Sequence, residues 1–93
     1  MSEKFPFKEI TKGNIKKRTF DEYIDNHELK WHFDVQDRNV KILESDGWQI
    51  QMDDQLPKTL NEGDTLFIPK GVYHRVIKGN GKLVILIKEN GNR

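Results

Sequence analysis

Three side chains in this chain have the types and spacing to hold one divalent ion. His32 and Asp34 stand two residues apart in the run Trp31-His32-Phe33-Asp34-Val35, where apolar and polar residues alternate. That is strand periodicity, so the two polar side chains leave the same face of a strand. His74 lies far along the chain, near the start of the β-rich run 73–77. Two imidazoles and one carboxylate suit Fe(II), Mn(II) and similar ions such as Ni(II) or Zn(II). They also leave coordination positions open for water or a substrate. Neutral imidazole and ionised aspartate are both available at pH 7. A second reading needs no ion. His32, Asp34, Arg38 and His74 would form a buried polar network, with the planar fork of Arg38 pairing Asp34 or Asp37. Both readings remain open on the residues alone.

The elements that position these groups are legible as turns and short strands. Asn61-Glu62-Gly63-Asp64 is turn chemistry, with Gly63 free to take a positive φ. Residues 65–68 are β-rich, and Pro69 ends that run because it cannot donate to a ladder. Pro69-Lys70-Gly71 makes the next turn and Gly79-Asn80-Gly81 the one after, so two turns place His74 at the mouth of a small β structure. Arg75 follows His74 and points to the opposite face.

Elsewhere, residues 39–43 read as a strand and Glu44-Ser45-Asp46-Gly47 as a turn. Trp48, Ile50 and Met52 alternate with Gln49 and Gln51, so the two glutamines either line a polar cavity or face solvent. Residues 53–58 form a loop around Pro57, and 83–87 is an apolar run suited to a strand buried on both faces. Thr19-Phe20-Asp21-Glu22 fits a capping box and predicts a short helix with Phe20, Tyr23 and Ile24 on one face. Residues 1–14 read as an edge strand or an arm, 89–93 as a frayed polar tail, and His27 as a surface residue. Strands this short, with turn signals between them, predict a barrel or sandwich.

Composition bounds the function classes. Ninety-three residues make one domain, with 34% hydrophobic and 33% charged residues. The formal charge of +1 argues against a dedicated nucleic-acid binder. Lys16-Lys17-Arg18, the one basic run, reads as a solvated face. There is no cysteine, hence no disulfide or thiolate site. The start MSEKFPFKEI has no apolar h-region and no window reaches the length of a membrane span, so a cytoplasmic chain without membrane contact is expected.

Gly63, Pro69, Gly71 and His74 carry a resemblance to the second motif of the cupin family, which continues to an asparagine four residues after the histidine. Lys78 holds that last position, and the nearest asparagine is Asn80. The resemblance implies an all-β fold, a small double-stranded β-helix or jelly-roll barrel over 29–90, with 1–28 as an N-terminal extension packed on it. Aligned to the family's first motif, His32 takes the first histidine, Asp34 the second, and Arg38 the glutamate, with Asp37 beside it. A metal on His32, Asp34 and His74, and a pocket lined by Asp37, Arg38, Gln49 and Gln51, are the resulting expectations. The resemblance also implies a homodimer, for which Phe5, Phe7, Ile10, Trp31 and Trp48 are candidate apolar contacts. The expected function is binding of a small polar ligand in the barrel, with or without a metal. A metal-dependent oxygenase or isomerase is the first alternative, and a structural or regulatory scaffold the second.

Overall fold

The computed structural model describes residues 7–24 and 29–90 of the chain. Eight strands follow in order: β1 Lys8–Lys12, β2 Ile15–Phe20, β3 Asp37–Asp46, β4 Gln49–Met52, β5 Lys58–Thr59, β6 Thr65–Ile68, β7 His74–Ile77 and β8 Asn80–Asn90. They build a five-stranded sheet in the order β1-β2-β8-β3-β6 and a three-stranded sheet in the order β5-β4-β7. The two inner faces enclose one apolar core that includes Phe20, Ile42, Trp48, Ile50, Leu83 and Ile87. No helix occurs among the described residues. The fold is an all-β jelly-roll barrel, as expected.

The apolar run 83–87 becomes the middle of β8, which is hydrogen-bonded to β2 on one side and β3 on the other. Leu83, Ile85 and Ile87 are buried on the inner face, and Val84 is buried on the outer one. β2 places Phe20 in the core and joins β8 over its whole length, so residues 8–20 continue the larger sheet as a hairpin.

The expected helix at 19–24 is not formed. Thr19 and Phe20 complete β2 opposite Val84 and Leu83, and a tight turn follows, with Ile24 N donating to Asp21 O at 3.2 Å. The Asp21 carboxylate accepts from Tyr23 N at 2.9 Å. Phe20 is buried while Tyr23 is exposed, so they share no face. A helix barely two turns long gains too little internally to compete with a full cross-strand ladder. Residues 1–6, including Phe5, and 25–28, including His27, lie outside the described residues, as do 91–93 of the expected tail. Glu89 belongs to β8, so that tail is strand where it can be seen.

β3 runs through Asp46, past the start of the expected turn, and its register with β8 shifts between Ile42 and Asp46. Gly47, with φ of 77°, then carries the chain from one sheet to the other, so β3 and β4 do not form a hairpin. Trp48 follows, fully buried, with its indole N–H donating to Asn80 O at 3.1 Å. Gly79 packs against this crossing: a Cβ there would run into the backbone nitrogen of Trp48 and the carbonyl oxygen of Asp46. Of the other large apolar residues, Phe7 is half-buried, and Ile10 and Trp31 are exposed.

Two glycines should therefore fail for different reasons. Gly79→Ala should cost about 1–3 kcal/mol through overpacking against backbone. Gly71 has open space around it but φ of 79°, so Gly71→Val should cost on the order of 1–2 kcal/mol through backbone strain alone. Urea denaturation of each variant measures this, and a Gly79→Ala midpoint equal to wild type would contradict the packing described.

Candidate metal centre and cavity

The segment carrying His32 is not a regular strand. It touches the smaller sheet through one antiparallel bridge, in which His32 N donates to His74 O at 3.0 Å and His74 N donates to His32 O at 2.8 Å. The alternation expected for 31–35 holds, but with its polarity reversed. His32, itself exposed, and the half-buried Asp34 line the cavity, while Trp31, Phe33 and Val35 lie exposed on the other face. Two of the outward side chains fasten the segment from outside. The Arg75 guanidinium lies 5.1 Å from the Trp31 ring centroid, and Phe33 packs edge-on to Tyr73 at 5.1 Å. Arg75 thus lies on the outer face, as expected.

The turn before β7 positions the aspartate. Gly71 N donates to Asp34 O at 2.8 Å, and Lys70 N donates to Asp37 Oδ1 at 2.8 Å. The second-motif turn therefore sets two of the three candidate ligands: it delivers His74 and grips the Asp34 backbone.

Both imidazoles are oriented by the same device. His32 Nδ1 lies 3.0 Å from Lys30 O, and His74 Nδ1 lies 3.0 Å from Val72 O. A carbonyl only accepts, so in each neutral ring Nδ1 carries the proton and Nε2 carries the lone pair. This backbone contact is the kind that fixes the tautomer of metal-bound histidines. The rings meet edge to face at 4.4 Å, and one ligand atom each from His32, Asp34 and His74 falls within 4.8 Å of the others.

The Asp34 carboxylate is divided between two environments. Oδ1 pairs with Arg38 Nη1 at 3.1 Å. Oδ2 is buried without a hydrogen-bond partner, although His74 Nε2 lies 3.4 Å away. With its proton on Nδ1, His74 offers that oxygen a second lone pair, so two acceptors face each other. A cation or a shared proton would satisfy both. Arg38 does not reach Oδ2. Its guanidinium is held by Glu89 Oε2, at 2.6 Å from Nη2 and 3.0 Å from Nε. Lys16 also pairs with Glu89, at 3.1 Å. Partial burial pushes the Glu89 carboxyl upward, but hydrogen bonds from Arg38 and Lys16 bring it below its usual value. Of the ion-free network expected around Arg38, the pair with Asp34 is formed and is extended by Glu89, and one aspartate oxygen is left unused.

This cluster forms one end of a cavity of about 360 Å³. Most of the wall is apolar and includes Val40, Ile42, Ile50, Ile68, Ile85 and Ile87. Arg38 lines it, but Gln49, Gln51 and Asp37 do not. The glutamines lie on the other face of β4 from the buried Trp48 and Ile50. There Gln51 accepts from Arg75 Nε at 3.0 Å and donates to Gln55 O at 3.0 Å. Asp37 is held on the turn by Lys70 N. Arg18 and Glu89 were missed by sequence reasoning, one taken as a solvated face and the other as tail. The available signal was the alternation Lys16, Arg18, Phe20, which puts all three on the inner face.

No family model and no curated protein matches the chain. Solved structures do match. A cupin domain from Bordetella pertussis is 17% identical, with a TM-score of 0.64 over 97% of this chain and 100% of its own. An RmlC-like cupin with a double-stranded β-helix fold from Methanocaldococcus jannaschii is 16% identical, with a TM-score of 0.67 over 89% and 77%. The Fe(II) form of HppE is 13% identical, with a TM-score of 0.64 over 89% of this chain and 48% of that one. The chain is a small domain with the cupin fold. Among the described residues, no helix is long and apolar enough to cross a membrane.

The His74 environment predicts a pH dependence. Burial is the largest influence and lowers its pKa; His32 and Arg38 lower it further, while Val72 O and Asp34 oppose them. The folded protein therefore binds a proton at His74 less readily than the unfolded chain. Stability from this group is complete above the ordinary imidazole value near ~6.5 and is lost as pH falls below it. Thermal melts between about pH 8 and pH 5 should show wild type losing more stability than His74→Gln over that window. Parallel curves would mean that His74 is not held neutral.

Proposed function

We propose that this domain binds a divalent transition-metal ion on His32, Asp34 and His74, and a small organic ligand with an apolar body in the adjoining cavity. The unpartnered Asp34 Oδ2 beside the His74 Nε2 lone pair is the observation that carries this reading. The donor set of two imidazoles and a carboxylate fits Fe(II), Mn(II), Ni(II) or Zn(II). Bound there, such an ion would act as a Lewis acid with positions open to water or ligand. The fold supports the reading, since the Fe(II) form of HppE shares it.

The cavity wall narrows the ligand. It is predominantly apolar, with its polar groups gathered around the cluster, which favours an amphiphilic molecule over the wholly polar one expected from the sequence. The remaining polar groups favour binding over chemistry. Among the described residues, the ionisable side chains lining the cavity beyond the three candidate ligands are Arg18, Lys30 and Arg38, all cationic. Asp37 and Tyr73, whose side chains could transfer a proton, do not line it.

Thermal melts of protein purified without an affinity tag, with each of the four ions and with a chelator, test the proposal. A bound ion should stabilise the fold by about 2.7 kcal/mol when free ion is about a hundredfold above its Kd. His74→Ala and Asp34→Ala should each remove that gain. Arg38→Ala should keep the response to the ion while lowering the basal melting point, because Asp34 Oδ1 and Glu89 lose their partner. A wild type indifferent to every ion would leave only the ion-free network.

A further inference from the structure

Arg18 is a further charged group in the cavity wall, outside the candidate ligand set. It lies on the inner face of β2, in register with Ile85 of β8, and its guanidinium sits 3.8 Å over the Phe7 ring. Among the described residues its carboxylate partner is Glu9 of β1, with Glu9 Oε1 at 2.8 Å from Nε and 2.6 Å from Nη2. Burial makes Arg18 less basic than usual, with Glu9 opposing this, and nearby Arg38 adds to it.

The pair is asymmetric. The Arg18 side chain is 11% exposed and the Glu9 side chain 26%. Glu9 sits on an edge strand bonded only to β2, with every β1 residue exposed. Glu9 can therefore leave and be hydrated, whereas the guanidinium, left alone in the wall, would be a buried unpaired charge. Among the described residues, the cavity lining also carries three cations, Arg18, Lys30 and Arg38, against one carboxylate, Asp34. Glu89 is already committed to Arg38 and Lys16.

We propose that Arg18 is the anion-recognising residue of the cavity, and that the ligand is a small apolar acid whose carboxylate replaces Glu9 on the guanidinium. This rests on the cavity being a ligand site, as proposed above, but not on the ion. The planar fork of Arg18 matches a carboxylate, and the Phe7 ring fixes its plane. The apolar wall takes the hydrocarbon body. No bond is made or broken; one carboxylate exchanges for another.

Hexanoate and hexanamide, matched in shape and differing in charge, are the probes. Calorimetric titration into wild type, R18Q and E9Q is run with zinc and in chelator. Wild type should bind the acid about tenfold tighter than the amide, the order expected for one charge-assisted pair. R18Q should bind both alike. E9Q keeps Arg18 and removes its competitor, so it should bind the acid more tightly than wild type does; a purely structural Arg18–Glu9 pair predicts no gain. A preference that survives R18Q, a weaker E9Q, or a wild type that binds neither probe or both equally would overturn the assignment. A preference seen only with zinc and unaffected by R18Q would place the carboxylate on the ion, rejecting Arg18 and keeping the metal. A preference lost in R18Q in a protein that binds no zinc would do the opposite.

Discussion

The candidate centre depends on a single antiparallel bridge between His32 and His74. Two backbone hydrogen bonds, of 3.0 and 2.8 Å, bring together residues that are 42 positions apart and would otherwise share nothing. Residues paired in this way project their side chains to the same face. Both imidazoles therefore enter the cavity side by side, and both neighbours, Trp31 and Phe33, are forced outward. The same bridge explains why hydrophobic residues lie exposed in this segment. Arg75 and Tyr73 hold the two rings on the outer surface, so the apolar positions act as fasteners while the polar positions fill the inner face.

Around that bridge, charge is arranged as a chain from β2 to the cavity. Lys16 pairs with Glu89, Glu89 with Arg38, and Arg38 with one oxygen of Asp34. Each link compensates a partly buried charge, and the chain ends at an oxygen with no partner. Buried polar groups are rarely left so, because the desolvation cost is not recovered. The choice between an ion and a network, open on the residues alone, becomes a question about this one atom. Arg38 serves the network without closing the site, because Glu89 and Oδ1 occupy its fork.

How much of this was legible follows from the range of the interactions. Gly63, Pro69, Gly71 and His74 were legible because a turn is decided by a few adjacent residues. Gly63 and Gly71 do take positive φ, at 91° and 79°. The strand at 65–68 and the buried run at 83–87 were legible because their periodicity is local. The helix expected at 19–24 failed because Thr19 and Phe20 find partners on β8, more than sixty residues away, which no window of sequence contains. That Trp48, Ile50 and Met52 share one face and Gln49 and Gln51 the other was legible, but not which face turns inward. Alternation shows that two faces differ without showing which one meets the cavity. Arg18 and Glu89 were hidden because a basic run and a polar tail ordinarily face water. The pairing of β8 with β2 on one side and β3 on the other turns them inward.

The cavity itself poses the remaining physical question. A domain of 93 residues has little core to spare, yet an apolar wall of isoleucines, leucines and valines surrounds about 360 Å³ that the chain does not fill. Unfilled apolar volume forfeits dispersion contacts, and small domains have only a few kcal/mol of net stability from which to lose them. The wall cannot easily collapse. β8 is clamped between β2 and β3, Trp48 is locked by its own hydrogen bond, and Gly79 is packed against the crossing from β3 to β4. Under the proposed function, a frame clamped in this way around an apolar space, with charge confined to one part of its wall, would be preorganised for a ligand. A molecule of matching shape restores the missing contacts without rearranging the barrel. Under that proposal, occupancy would also stabilise the fold, because the ligand binds the native state alone.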